Sequence, residues 1–188
     1  MLKNLEEYGK FVEITGFRDI KIGDARAFVE ALHADLPQDV QIQLFDAELV
    51  ATWQHLYFAV LNALMAFQNN INLSKSLAME TVLYASAQRQ IKKALDLVGV
   101  KPGSTNVAVL ALGEKADLVK SAVEAVSRRL GAKPDETVLE LTRTKIRRIR
   151  EGYDISDLEL QVASARGSTE QAMADLVVER VALLSTRL

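Results

Sequence analysis

The chain has 188 residues, 49% of them apolar and 26% charged, with 23 basic and 25 acidic side chains and a net charge of −2. This is ordinary globular composition at a length that buries a core without staples, and the charge balance confines any nucleic-acid binding to local patches. The absence of cysteine excludes disulfides, thiol nucleophiles and cysteine-based zinc sites.

The first residues, Met1-Leu2-Lys3-Asn4-Leu5-Glu6-Glu7, hold no apolar core of signal-peptide type. The most apolar stretch, 56–67, is too short to span a bilayer and carries Asn62. The expectation is a soluble, cytoplasmic protein. Residues 10–15 alternate loosely and predict a strand. Asp24 stands where a helix N-cap belongs, ahead of a helix over 25–36 with Phe28, Val29, Leu32 and Leu36 on one side and Pro37 closing it. Residues 40–45 alternate Val, Ile and Leu with Gln and predict a second strand. Asp46 then caps the longest helix, over 47–69. Leu49, Trp53, Leu56, Val60, Leu64 and Phe67 form one apolar stripe on it, and Val50, Tyr57, Leu61 and Met65 a second. Two stripes predict a helix buried on both sides; the other reading is that one side waits for a partner protein.

Residues 80–86 predict a strand, with a short helix as the alternative, because seven residues do not separate the two periods. A helix over 88–98 turns Ile91, Leu95 and Val98 inward and stops at Gly99. A turn at Lys101-Pro102-Gly103-Ser104 leads into a strand over 106–112, and strand, helix, strand in succession predicts a right-handed crossover joining parallel neighbours. An amphipathic helix over 115–130 ends at Gly131, and 138–141 reads as a short edge strand. Thr142 caps a basic helix reaching Glu151. Capping boxes begin at Ser156 and Ser168, and the second opens a final helix carrying Met173, Leu176, Val177, Val181 and Leu184. The expected fold class is α+β: one domain over 1–188, a small mixed β-sheet packed with several helices and a C-terminal helix.

No constellation for catalysis stands out. His33 and His55 each fall inside a predicted helix without a second His at ligand spacing, and read as surface or boundary residues. The segment 99–104 resembles a phosphate loop but lacks the Gly-Lys-Ser/Thr ending and leads into a strand. No Gly-x-Ser-x-Gly elbow is present. The reading is a protein without catalytic residues, metal or cofactor, and not an enzyme.

Two basic clusters depart from this bland picture. Arg143-Thr144-Lys145-Ile146-Arg147-Arg148-Ile149-Arg150 holds five positive charges and no acid. On a helix, Arg143, Arg147 and Arg150 share a face, with Ile146 and Ile149 pointing into the core. An anionic partner would relieve the repulsion; pairing with nearby Glu and Asp is the alternative. Arg89, Lys92 and Lys93 place positive charge at a helix start, against the helix dipole.

The stretch from Lys75 to Val100, with Leu77, Glu80, Val82-Leu83, Ser86, Ile91, Ala94 and Gly99 as its recurring elements, resembles the TPRKB-like family, archaeal type. This family is the kinase-binding subunit of the KEOPS tRNA-modification complex. The strand over 106–112, the helix from Thr142 and the closing helix fit the same resemblance. It implies a non-catalytic subunit that binds and stimulates a kinase-like ATPase and helps recruit tRNA through its 3′ CCA end for threonylcarbamoyladenosine formation. It directs attention to Lys75, Arg89, Lys92, Lys93, Arg143, Arg147, Arg148 and Arg150 as candidate tRNA contacts, with Tyr84 as a stacking platform. The apolar 47–69 helix, with Val178 and Leu183, is candidate protein-docking surface, and the chain alone is expected to be a monomer. A small-molecule-binding domain and a self-associating scaffold are the rival classes.

Overall fold

The computed structural model describes residues 1–37, 39–165 and 167–186, without the side chains of Ala25, Arg26 and His33. In chain order the elements are β1 (Leu2–Leu5), β2 (Lys10–Phe17), α1 (Ala25–His33), β3 (Val40–Asp46), α2 (Trp53–Gln68), α3 (Leu77–Ser86), α4 (Ile91–Val98), β4 (Val107–Gly113), α5 (Ala116–Leu130), α6 (Arg143–Gly152), α7 (Asp157–Ser164) and α8 (Thr169–Leu183). This is an α+β chain, as expected. It divides into two compact units, each built from two segments: Met1–Ala47 with Val100–Val138, and Glu48–Gly99 with Leu139–Leu188.

The first unit is a four-stranded sheet in the order β1-β2-β4-β3. Every pairing is antiparallel, with Phe17 and Asp46 both opposite Val107. The parallel crossover expected from the sequence is therefore absent. Its first strand, 80–86, is helical, so nothing remains for β4 to run parallel with. Val107, Val109 and Ala111 of β4 pack with Ile42, Leu44, Phe17 and Leu32, and with Val119, Ala122, Val123 and Val126 of α5. Burial on this scale is the main favourable term of the unit. Gly131 stops α5 in the left-handed region, at φ +64°, as its position after the last periodic residue foretells. At Gly16 a Cβ would lie 2.7 Å from the Asp135 carbonyl oxygen and 2.7 Å from Val138 Cβ, so the chain there admits only glycine without a shift.

The edge strand expected at 138–141 is replaced by a 3₁₀ turn over Glu136–Leu139. Asp135 explains it. Its carboxylate accepts from the Thr137 amide at 3.0 Å and from the Thr137 hydroxyl at 2.6 Å, a local closure that competes with extended pairing. These bonds and the Arg18 guanidinium hold the Asp135 carboxyl below its ordinary range. β1 had no counterpart in the sequence reading; four residues are too few to show a period.

The second unit is helical. α2 packs against α3 and α8, α3 against α4, and α7 against α8. The segment 80–86 is a helix, the alternative that its length left open. Every residue from Glu80 to Ser86 is covered, which erases the 3.6-residue pattern. Asp46 closes β3 and accepts from the Ser104 hydroxyl at 2.8 Å, so α2 starts later than expected, after Thr52. The capping box at Ser156 is complete. At Ser168 only half of one forms, because the Gln171 side chain donates to Asp175 instead. Met173, Leu176, Val177, Val181 and Leu184 are buried, as their spacing predicts.

Candidate functional site

Every residue singled out for RNA contact belongs to the helical unit, and α3 organises their surroundings. The Ser76 hydroxyl caps its start by accepting from the Met79 amide. Glu80, only 1% exposed, accepts from the backbone N–H of Leu73 at 3.0 Å and of Ser74 at 2.6 Å. A buried carboxylate with two amide donors is a firm tether. It draws the preceding loop, with exposed Ile71, Leu73 and Lys75, onto the helix start.

α3 ends in a Schellman turn. The Ala87 N–H donates to Tyr84 O at 3.0 Å and the Gln88 N–H to Leu83 O at 3.1 Å. The left-handed position of this motif normally takes glycine. Here it is Ala87, at φ +52°, at a cost of about 1–2 kcal/mol. α6 ends the same way, with the Ile155 N–H donating to Arg150 O at 2.9 Å and Asp154 at φ +51°. The two turns border one cavity of about 340 Å³, lined by Ser86, Ala87, Gln88, Gly152, Tyr153, Asp154 and Arg180. Arg180 is paired with Glu159, whose carboxyl is pulled down to about 2 by the Ser156 amide and the Arg180 guanidinium.

Beneath these turns lies a buried polar group. His55 Nδ1 accepts from the Ala51 N–H at 3.3 Å, and its Nε2–H donates to Ala85 O at 2.7 Å. The Tyr153 hydroxyl donates to the same Ala85 oxygen, also at 2.7 Å. Burial, together with the charge of Lys145, pushes His55 down to about 4 and keeps the ring neutral, while burial raises the Tyr153 hydroxyl. The reading of His55 as a surface or boundary residue is corrected: it is fully buried. His33's side chain lies outside the described residues.

The basic residues separate into distinct places. Arg89, Lys92 and Lys93 are exposed around the start of α4. Lys75 is exposed at the other end of α3, whose ten residues span about 15 Å. On α6, Thr142 caps the start through the Lys145 amide. Lys145 and Ile149 face inward, Lys145 being only 3% exposed. Arg148 pairs with Glu48 at 3.5 Å, and Arg150 with Asp157. Arg143 and Arg147 are exposed and form no ion pair among the described residues. The expected i, i+4, i+7 face therefore keeps two open charges.

Three further expectations change. Tyr84 is only 4% exposed, so its ring offers no platform for a base. On α4 the inward residues are Ala94 and Val98, while Ile91 and Leu95 are exposed. α2 is not buried on both sides. His55, Leu56, Ala59, Val60, Ala63 and Leu64 are covered, but Trp53, Tyr57 and Leu61 are half-buried, and Phe58 and Met65 are exposed. The Trp53 and Tyr57 rings meet edge-to-face at 5.8 Å, and Tyr57 and Phe58 do the same at 5.8 Å. The alanines at 59, 63 and 66, sharing a phase with His55, were the available signal for which face turns inward. The buried roles of His55 and Tyr153 were missed, and Glu80 was marked only by the resemblance, because their partners include backbone groups, which carry no sequence mark. Among the described residues no group of three or more His, Cys, Asp or Glu could hold a metal, and no helix is long and apolar enough to cross a membrane.

The family model described as "Kinase binding protein CGI-121" matches residues 17–185. The chain is also 32% identical, over 116 residues, to the "Regulatory protein Cgi121" of Methanocaldococcus jannaschii, an alignment covering 62% of this chain and 72% of that protein. With a family match running from the end of β2 through α8, the chain belongs to the CGI-121 family of kinase-binding proteins.

Proposed function

We propose that this chain is the non-catalytic, kinase-binding subunit of a KEOPS-type complex in the cytoplasm, acting as one domain over 1–188. It binds and stimulates the kinase-like ATPase subunit and helps recruit tRNA by its 3′ CCA end for threonylcarbamoyladenosine formation. The observation that carries the reading is the family match to a kinase-binding protein over 17–185. The apolar outer face of α2, with Trp53, Tyr57, Phe58, Leu61 and Met65, supports it, because large apolar groups in one row are anchors for a protein partner. The tRNA part is supported by exposed Arg89, Lys92 and Lys93 beside the cavity at the end of α3, with Arg143 and Arg147 as a second patch.

The test is co-purification with the matching ATPase, followed by tRNA affinity against salt. Arg89→Glu with Lys92→Glu should weaken binding and flatten the salt dependence by roughly one unit of slope per lost phosphate contact. Arg143→Glu with Arg147→Glu measures the second patch separately. Removing the 3′ CCA from the tRNA should cost as much as the first pair. If the ATPase does not co-purify, the kinase reading falls. If neither pair nor the trimming changes affinity, the tRNA reading falls.

A further inference from the structure

We infer that Tyr153 and His55 are positioning residues for the turn 86–89, holding it through the Ala85 carbonyl so that the presentation of Arg89 to RNA is set by buried groups that do not touch the RNA. The inference rests on the reading of Arg89 as an RNA contact.

Three observations support it. First, the Schellman turn uses the carbonyls of Leu83 and Tyr84, so the Ala85 oxygen has no amide to take within the helix. It receives two donors from elsewhere, His55 on α2 and Tyr153 at the end of α6, each at 2.7 Å. Second, the turn is strained. Ala87 at φ +52° persists only where its surroundings over-determine it. The partner turn is strained too, at Asp154, and Tyr153 immediately precedes Asp154. Third, the hydroxyl that reaches Ala85 belongs to a residue lining the cavity that both turns border. The Tyr153–Ala85 hydrogen bond thereby links the two turns. The edge-to-face contact of the His55 and Tyr153 rings, at 5.6 Å, fixes both donors against each other.

The test uses the full chain and a tRNA ending in CCA. Tyr153→Phe keeps the ring and removes only the donor. Affinity should fall about three- to tenfold, with the salt slope unchanged because no phosphate contact is lost. Amide exchange should quicken over 87–91 ahead of the rest of α3. Ala87→Gly supplies a readout that a merely structural role would not move: relief of the left-handed strain should raise the melting temperature while the looser turn lowers affinity about threefold. As reference, Arg89→Glu with Lys92→Glu must lower affinity. If the reference pair lowers affinity but Tyr153→Phe and Ala87→Gly both leave it unchanged, the positioning role is overturned and the RNA site stands. If the reference pair itself has no effect, the site and the inference fall together.

Discussion

The two units spend their apolar residues in opposite ways. In the sheet unit, β4 is buried along its whole length and α5 turns its apolar stripe onto Val107, Val109 and Ala111. In the helical unit lies every exposed large apolar side chain among the described residues, from Phe58 and Met65 on α2 to Leu158 and Val162 on α7, the last two 68% and 66% exposed. All the candidate basic contacts lie there as well. The difference is one of exposure: the sheet unit covers its large apolar side chains, and the helical unit leaves several of them in water. Apolar surface left in water lowers stability relative to burial, so under the proposed function this unit supplies the candidate contact surface for the ATPase subunit.

The contrast can be broken most directly at Gly16. Gly16→Val forces side-chain atoms onto the Asp135 carbonyl and Val138, and should cost about 3 kcal/mol of stability, read from the denaturant midpoint. A cost below that of substitutions on the exposed α2 face would remove the distinction between the units. A pH titration sharpens the helical side. His55 has its ordinary value near 6.5 when unfolded and about 4 when folded. The depressed value means the unfolded chain takes up the proton first. Stability from this group is therefore complete above pH 6.5 and is lost as pH falls towards 4, by about 3 kcal/mol at most. In His55→Gln that portion of the pH dependence should vanish; an unchanged acid profile would contradict the buried neutral ring. The smallest change in free energy is expected on the outer face of α2. Phe58→Asp with Met65→Asp should leave the melting temperature nearly unchanged but weaken ATPase binding by about 2 kcal/mol, or thirtyfold. Loss of stability without loss of binding would mean that this face serves the fold.

The sheet unit was the more legible in sequence. β3 alternates and α5 keeps a helical stripe up to its glycine, because one face of each is more covered than the other, while β2 alternates only up to Ile14 and is buried on both faces from there to Phe17. The helical unit hid its organisation wherever burial is complete. α3 is buried all round over Glu80–Ser86, so the segment offered no period and read as a strand. The same completeness concealed Tyr84, which looked available and is covered. On α6 the spacing of the arginines was readable, but what each one meets was not. Glu48 lies a hundred residues from Arg148, and a sequence does not mark ion pairs at that separation. Lys145 looked like one more surface charge and turns inward. The caps at Asp24, Thr142, Ser156 and Ser168 were local enough that the residue alone announces its bond, except where Asp175 captured Gln171; the Ser76 cap belongs to a helix that read as a strand and was not announced.

The strand order β1-β2-β4-β3 also governs how the protein is made. β3 is complete at Asp46, but its one neighbour in the sheet, β4, begins at Val107. At roughly 5–20 residues per second the ribosome leaves β3 unpaired for about 3–12 s. During that time β1 and β2 can form a hairpin, whose inner edge is open until β4 arrives. Two unpaired edges on a nascent chain are templates for wrong neighbours. The stretch of synthesis between β3 and β4 is the interval in which the strand edges of this chain lie open to wrong pairing.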